Sequence, residues 1–280
     1  MIWRCGRHTF DLSHRVLVMG ILNVTPDSFA ETTSHLDSGA ALDAALRMEA
    51  DGADLIDVGG ESTRPGAAPV STDDEQARVV PVLKALCGRV RVPLSIDTTK
   101  AEVARAALGE GAAIVNDISG LRYDPPLARV VARGGAALVL MHMRGRPNTM
   151  YEQAVYDDLL ADVIGEVRAS VAAAVAAGVP LERIIVDPGI GFAKRPPHSY
   201  GVLARLPEFA AALDRPVLAG VSRKSYLREA TGGRAAADRD WGTAAAVTAA
   251  VLVGAHIVRV HAVAEMAQVV RVAEEIRKHG

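Results

Sequence analysis

The sequence has few aromatic residues, few cysteines and no excess of charge of either sign. Aromatic residues make up 4% of the 280 residues, there are 2 cysteines, and 31 Lys plus Arg nearly cancel 33 Asp plus Glu to leave a net charge of -2. A chain without a dense basic block lacks the electrostatic footprint of proteins that bind nucleic acids or membrane surfaces. We therefore expect neither partner, and a hydrophobic fraction of 50% is typical of a soluble globular protein.

Metal-ligand clusters, an export signal and a membrane span are also missing from the pattern. Cys5 and Cys87 have no Cys or His neighbours at the spacing of a zinc site, so we interpret them as reduced thiols. Residues 1–7 contain no apolar core followed by a cleavage site, so we expect a cytoplasmic protein. The most apolar stretch, 243–257, contains His256 and is too short to span a bilayer.

Short apolar runs alternate with longer segments of helical pattern along the chain. The runs are typical of parallel strands buried on both faces, and they are Val16–Leu22, Leu55–Val58, Leu94–Ile96, Ile114–Val115, Ala137–Met141, Ile184–Val186, Val217–Ala219 and Ile257–Val260. The helical segments are Ser38–Ala50, Asp73–Leu86, Lys100–Gly109, Pro126–Arg133, Tyr156–Ala177, Tyr200–Leu213, Thr243–Val253 and Ala262–Lys278. About eight repeats without a linker predict an α/β fold, a single (β/α)8 TIM barrel over residues 1–280. A doubly wound open sheet is the alternative, but no Gly-x-Gly-x-x-Gly follows the first strand.

Polar residues follow almost every apolar run: Asn23, Asp57 with Glu61, Asp97, Asn116 with Asp117, His142, Asp187, Ser222-Arg223-Lys224, and Arg259 with His261. Because the carboxyl ends of the strands share one face of a closed barrel, this pattern predicts an active site there. Some of these side chains offer acceptors and an amide edge suited to a flat heterocycle, namely Asp97, Asn116 and Asp187. Others suit a phosphate or carboxylate, namely Arg64, Lys224, Arg259 and His261.

Eight motifs stand in order along the chain. Met19–Phe29 reads MGILNVTPDSF and Asp57–Gly66 reads DVGGESTRPG. The later motifs are Ser95–Thr98, Val115–Ile118, Leu140–Met143, Asp187–Phe192, Ser222–Ser225 and Arg259–His261. Together, from about Val16 to the C-terminus, they resemble the dihydropteroate synthase family, the folate-pathway enzymes that sulfonamides target. Each string alone is weak, but the full set on successive predicted strands is a highly specific signal.

The resemblance implies a transferase that condenses 6-hydroxymethyl-7,8-dihydropterin diphosphate with 4-aminobenzoate to give 7,8-dihydropteroate and diphosphate. By resemblance, the pterin-binding residues are Asp97, Asn116, Met141, Asp187 and Lys224. The diphosphate-binding residues are Asn23, Arg64, Arg259 and His261, and Asn23 would also be the ligand of Mg²⁺. The residues around 4-aminobenzoate are Phe29, Thr63, Pro65, Phe192, Lys224 and Ser225.

The implied reaction is dissociative, with diphosphate leaving before the aniline nitrogen attacks. The residues expected to act in catalysis are Asp97, Lys224, Arg259 and His261. The resemblance also implies a homodimer through the Ala-rich helices Thr243–Val253 and Ala262–Lys278, with sulfonamides as inhibitors. We interpret His142 as structural, and Asp57 could equally buttress a strand end.

The chain departs from the family pattern in two places. Ala30-Glu31-Thr32-Thr33 stands where Ser-Asp-Gly-Gly is usual, and Phe192 is followed by Ala193-Lys194-Arg195 where Gly-Lys-Asn is usual.

Two other functions share part of the pattern. A pterin-binding methyltransferase acting on a corrinoid would have no use for Arg64, Arg259 and His261. A catalytically inactive paralogue would have lost some of the site residues, whereas this chain keeps them.

Overall fold

The computed structural model describes residues 1–24 and 38–280. A hairpin of β1 (Ile2–Cys5) and β2 (His8–Asp11) precedes strands that alternate with helices. The strands are β3 (Leu17–Asn23), β4 (Leu55–Gly59), β5 (Leu94–Asp97), β6 (Ile114–Asp117), β7 (Ala137–Met141), β8 (Ile184–Asp187), β9 (Leu218–Ala219) and β10 (Ile257–Val260). The helices are α1 (Ser38–Ala50), α2 (Thr72–Leu86), α3 (Ala101–Gly109), α4 (Leu127–Gly134), α5 (Leu159–Ala176), α6 (Pro196–Ala204), α7 (Leu206–Leu213), α8 (Asp240–Leu252) and α9 (Val263–His279).

The strands β3 to β10 form one parallel sheet that returns on itself. Its order is β8-β7-β6-β5-β4-β3-β10-β9, and a parallel bridge between Val186 and Val217 brings β8 to the residue just before β9. The predicted (β/α)8 barrel is therefore confirmed. Every apolar run that was predicted as a strand contributes to this sheet, because strands buried on both faces carry an unbroken apolar signal.

The prediction of one helix over Tyr200–Leu213 is wrong. The segment forms α6 and α7, which are separated at Arg205. Pro207 is the second residue of α7, and its ring would clash with the carbonyl of Leu203 in a continuous helix. The helix predicted to begin at Tyr156 begins instead at Leu159, because the Asp158 side chain caps it by accepting the N–H groups of Leu160 and Ala161, each at 3.1 Å.

The hairpin of β1 and β2 covers the amino-terminal end of the barrel, which the sequence pattern did not predict. Trp3 and Cys5 are fully buried in a cluster with Leu17 and Ile257 from the barrel strands. The indole Nε1 of Trp3 donates to the carbonyl of Arg183 at 3.3 Å. Both cysteines are free, as predicted, and burial raises the pKa of Cys5 to about 12. The hairpin closes this end with apolar contacts.

Within residues 1–24 and 38–280, no helix has both the length and the apolar character needed to cross a membrane.

Candidate active site

A cavity of about 550 Å³ opens at the carboxyl ends of the barrel strands. Of the residues that the sequence predicts for the site, those that line it are Asn23, Thr63, Arg64, Pro65, Asp97, Phe192, Lys224, Ser225, Arg259 and His261. Asn116, Met141 and Asp187 are buried at the ends of the neighbouring strands β6, β7 and β8. The predicted residue Phe29 and the atypical segment Ala30–Thr33 lie outside the described residues.

Strand register places several of these residues at one level of the barrel. Asn23 pairs with Gly59, Gly59 with Asp97, and Asp97 with Asn116. Gly59 leaves space between its neighbours, since a methyl group there would lie 3.8 Å from Asn23 Oδ1 and 3.7 Å from Asp97 Oδ2. Residues from separate repeats therefore converge on one pocket.

Arg259 lies between two carboxylates. Its Nε donates to Asp57 Oδ2 at 2.6 Å and its Nη2 donates to Asp97 Oδ2 at 2.8 Å. Burial raises the pKa of Asp97 to about 7, because the attraction of Arg259 only partly offsets the desolvation and the repulsion from Asp57. In this structure the guanidinium therefore pairs with both carboxylates.

Asp57 orients two predicted site residues and was not itself predicted as one. It is fully buried, and its Oδ2 accepts from Asn116 Nδ2 at 2.9 Å as well as from Arg259. Its Oδ1 has no hydrogen-bond partner among residues 1–24 and 38–280. Because the Asn116 amino group is used by Asp57, the carbonyl of that amide is free to accept from a ligand. Only its place at a strand end signalled Asp57 in the sequence.

Asp187 and Lys224 meet on the floor of the cavity. A methyl group on Gly220 would lie 3.6 Å from Asp187 Oδ2 and 3.5 Å from Lys224 Nζ, so both groups lie beside this glycine. Asp187 Oδ1 accepts from the Gly189 N–H at 2.7 Å, and burial raises the pKa of Asp187 despite the opposing charge of Lys224. Burial lowers the pKa of Lys224 to about 8.

His261 is held by Ser222 beside the pocket. Its Nδ1 lies 2.9 Å from Ser222 Oγ, which also accepts the backbone N–H of His261 at 3.2 Å. Burial, with the nearby charges of Arg259 and Arg223, lowers the pKa of His261 to about 3. The imidazole is therefore neutral at neutral pH. In the tautomer whose Nδ1 accepts from the Ser222 hydroxyl, Nε2 is an N–H donor.

The segment from Ser222 to Ser225 is fixed from outside the barrel. Arg239 donates to the carbonyl of Arg223 at 3.1 Å and to that of Lys224 at 3.3 Å. Arg223 has a φ of +56° and pairs with both carboxylate oxygens of Asp240 at 2.7 Å. The sequence pattern missed Arg239, because nothing local marks a residue that acts on a loop 15 positions earlier.

The loop after β4 carries the pocket residues Thr63, Arg64 and Pro65. Near its start, Glu61 accepts from Lys100 and from the backbone N–H of Val70, the latter at 3.2 Å. Lys100 also contacts the buried carboxylate of Glu75. These contacts attach the loop to α2 and to the start of α3.

The fold and the residues of the cavity together define a class of protein. A parallel barrel holds acceptors suited to a flat heterocycle on its floor and cationic side chains suited to an anion near its mouth, which is the arrangement of a barrel enzyme.

Comparison with known proteins agrees with this class. A model of the pterin binding enzyme family matches residues 19–261. Dihydropteroate synthase of Synechocystis sp. is 44% identical over 271 residues, which cover 97% of this chain and 93% of that protein.

Two solved structures are similar throughout. A Yersinia pestis dihydropteroate synthase in a sulfonamide drug complex has a TM-score of 0.92 at 42% identity and covers 99% of this chain and 100% of its own. The Xanthomonas albilineans enzyme with 4-aminobenzoic acid has a TM-score of 0.91 at 40% identity, covering 99% and 98%. The chain therefore belongs to the pterin binding enzymes and, within them, to the dihydropteroate synthases, which are transferases of folate biosynthesis.

Proposed function

We propose that this protein joins 6-hydroxymethyl-7,8-dihydropterin diphosphate to 4-aminobenzoate, and that residues 1–280 form one domain for this reaction. The observation that carries the proposal is the pairing of buried acceptors on the barrel floor with two arginines and a neutral histidine above them. Asp187 and Asn116 present oxygen acceptors, while Arg64, Arg259 and His261 lie toward the mouth. A flat heterocycle that carries a diphosphate satisfies both parts at once.

The pterin occupies the floor in this proposal. Asp187, Asn116 and Asp97 accept from its ring N–H groups, and Met141 and the stem of Lys224 pack on its faces. A buried carboxylate without a ligand pays a desolvation cost that the ring donors remove, which gives selectivity for this heterocycle. The raised pKa values of Asp97 and Asp187 express that cost.

The diphosphate lies toward the mouth, where Asn23, Arg64, Arg259 and His261 hold it. Within residues 1–24 and 38–280 no group of three His, Cys, Asp or Glu side chains could hold a metal ion. The hard oxygen of Asn23, a residue that lines the cavity, nevertheless fits Mg²⁺, because this ion keeps much of its water shell and takes ligands from substrate phosphates. When bound, Mg²⁺ would neutralise charge on the leaving diphosphate.

In the mechanism we propose, the bond between the methylene carbon and the diphosphate oxygen breaks first, and the electron pair leaves with diphosphate. Arg259, Arg64 and neutral His261 stabilise the leaving anion by donating hydrogen bonds. Asp97, as a carboxylate below the ring, stabilises the cation that the pterin delocalises. The aniline nitrogen then bonds to the methylene carbon and loses a proton.

The 4-aminobenzoate lies between the loop after β4 and the loop after β8. Thr63, Pro65, Phe192, Lys224 and Ser225 all line this side of the cavity. Lys224 Nζ lies 4.2 Å from the centroid of the Phe192 ring. The Ser225 hydroxyl, 2.9 Å from the hydroxyl of Tyr151, would bind the benzoate carboxylate. Phe29 would complete the pocket from the first loop.

A cytoplasmic homodimer is also part of the proposal. Helices α8 and α9 pack on each other and expose apolar side chains, with Trp241 91%, Val272 62% and Ile276 53% exposed. Burial of such a face against a second copy is favourable. Light scattering should give about twice the monomer mass of 29.4 kDa, and a monomer would refute this part.

The deciding experiment is a turnover assay on the purified protein with both substrates and Mg²⁺, read as diphosphate release and dihydropteroate formation. Both products should appear in equal amounts. Binding of a pterin analogue without turnover would favour the inactive paralogue. Methyl transfer from methyltetrahydrofolate to a corrinoid, without diphosphate chemistry, would favour the methyltransferase.

A further inference from the structure

Lys194 is buried behind the wall of the cavity and lies outside its lining. Its side chain is 1% exposed, and burial lowers its pKa well below the ordinary value. Lysine is almost never fully buried unless its amine has partners. A buried lysine that no proposed step uses therefore calls for a structural explanation of its own.

The amine of Lys194 has two partners on different elements. Its Nζ lies 2.7 Å from Nδ1 of His142, just after β7, and donates to the carbonyl of Phe192 at 3.2 Å. The amine can donate to both of these atoms, to Nδ1 in the tautomer that leaves this nitrogen unprotonated. His142 itself is fully buried, and its backbone N–H donates to the carbonyl of Asp187 at 2.9 Å.

A charged residue, Glu166, lies next to the other side of the His142 ring. Its Nε2 lies 3.1 Å from Glu166 Oε2, although the two are not aligned for a hydrogen bond. Burial opposes the charge of Glu166, but its contacts with His142, Arg144 and Arg122 lower its pKa well below the ordinary value. Arg144 donates to Glu166 Oε1 and Arg122 to Oε2, each at 2.7 Å. His142 thus lies beside a carboxylate of helix α5 that two arginines hold in place.

The segment that Lys194 holds has a backbone that needs support. Gly189, Gly191 and Ala193 have φ values of +68°, +83° and +48°. The left-handed region is natural for glycine but unfavourable for alanine. The Tyr156 hydroxyl donates to the carbonyl of Ala193 at 2.8 Å, next to the carbonyl that Lys194 binds. Two successive carbonyl groups are therefore held by two buried or half-buried side chains.

This segment carries Phe192 and also the carbonyl of Ile190, which accepts from Lys224 Nζ at 2.5 Å. A shift of the segment would move the Phe192 ring and the Lys224 amine together. We propose that Lys194 is a positioning residue that, with Tyr156, holds the carbonyl groups of Phe192 and Ala193 and so fixes the wall of the second-substrate pocket. This inference rests on the proposed function for the identity of that substrate.

The test compares Lys194→Met, which keeps the length and loses both hydrogen bonds, with Tyr156→Phe, which loses only one hydroxyl. Lys278→Met, at an exposed lysine on α9, is the matched control. Steady-state kinetics should show KM for 4-aminobenzoate raised about tenfold in Lys194→Met and about threefold in Tyr156→Phe. The Kd of a pterin analogue should stay within about twofold, and Lys278→Met should match the wild type.

Hydrogen exchange of residues 189–194 in the ligand-free protein provides a readout that does not depend on the substrate. Exchange should rise in both variants, and it should not rise in Lys278→Met. If exchange is unchanged in both variants, Lys194 does not hold the segment and the proposal is overturned. If Lys194→Met fails to fold, Tyr156→Phe decides alone by the same two measurements.

Phe192→Ala separates this inference from the proposed function. If KM for 4-aminobenzoate rises in Phe192→Ala but not in the other two variants, the positioning role is wrong and the pocket is right. If exchange rises in Lys194→Met and Tyr156→Phe while Phe192→Ala leaves this KM unchanged, the holding of the segment stands and the placement of 4-aminobenzoate is wrong.

Discussion

The two ends of the barrel are built on opposite principles. At the amino-terminal end, the hairpin places Trp3 and Cys5 on an apolar cluster that contains residues of seven barrel strands. At the carboxyl end, Asp57, Asp97 and Arg259 are buried together, and one oxygen atom of Asp57 has no hydrogen-bond partner in the part of the chain that the structure describes. Apolar burial stabilises the fold, whereas buried charge costs stability until a ligand compensates it. The comparison teaches that one end supplies stability and the other uses part of it for binding.

The largest expected effect on stability lies at the hairpin. Trp3→Ala should lower the free energy of unfolding by about 3–5 kcal/mol, because it removes a fully buried indole and leaves a cavity. Denaturant unfolding measures this, and KM values of the surviving folded protein should be unchanged. Ile2→Ala, at a residue 50% exposed on the same strand, is the control and should change stability by less than about 1 kcal/mol. If both variants lost the same free energy of unfolding, the buried indole would not be what stabilises the hairpin on this end of the barrel.

The largest expected effect on binding lies at Asp187. Asp187→Ala should weaken a pterin analogue by about 2–4 kcal/mol, because the ring donors lose a charge-assisted acceptor in a desolvated pocket. Calorimetric titration measures the loss, and Asp43→Ala on the exposed face of α1 serves as the control. Unchanged affinity in Asp187→Ala would mean that the heterocycle binds elsewhere.

Asp97 connects stability to pH. Its pKa is about 7 when folded and about 3.9 in an unfolded chain. Between these values the folded protein holds a proton that the unfolded chain has lost, so this group lowers stability as the pH rises from about 4 to about 7. Asp97→Asn, which resembles the protonated form, should therefore gain in Tm relative to wild type as the pH rises from 5 to 8, while turnover is lost.

Thermal unfolding at pH 5 and pH 8 measures that difference, with the exposed Asp43→Asn as the control for a general effect of charge. Each kcal/mol corresponds to roughly 2–4 °C in a chain of this size. If the Tm difference between Asp97→Asn and wild type does not grow with pH, the pKa of Asp97 in the folded protein is not raised above that in the unfolded chain.

The smallest expected effect is a gain at Ala193. Ala193→Gly removes a left-handed alanine, with φ of +48°, and should raise the free energy of unfolding by roughly 0.5–1 kcal/mol despite the added entropy of the unfolded glycine. Equilibrium urea unfolding is the measurement. The opposite exchange, Gly189→Ala, should be strongly destabilising, since the new methyl carbon would lie 1.9 Å from the carbonyl oxygen of His142. If both exchanges were neutral, backbone strain would not be concentrated at this end of the barrel.

The alternation of strands and helices, and the position of the polar residues at the carboxyl ends of the strands, could be predicted from the amino-acid sequence alone. Apolar runs mark strands that are buried on both faces, and a polar residue after such a run marks the point where the chain leaves the barrel wall. Asn23, Asp97, Asn116 and Asp187 could therefore be assigned to one face, and the structure places each of them at a strand end. The break at Pro207 also had a local signal, which a purely periodic interpretation of 200–213 overrode.

Which side chains contact one another depends on the packing of the whole barrel and could not be predicted from the sequence. Arg259 reaches Asp57 across 202 positions of the chain, and Lys194 reaches His142 across 52. Hydrogen bonds and ion pairs between distant residues depend on strand register and barrel closure, neither of which leaves a trace in local periodicity. The hairpin of β1 and β2 also depends on tertiary packing, since a short pair of strands is stable only when it packs against another part of the protein. The local sequence pattern thus determines where each strand ends, and tertiary packing determines which partner each buried polar group contacts.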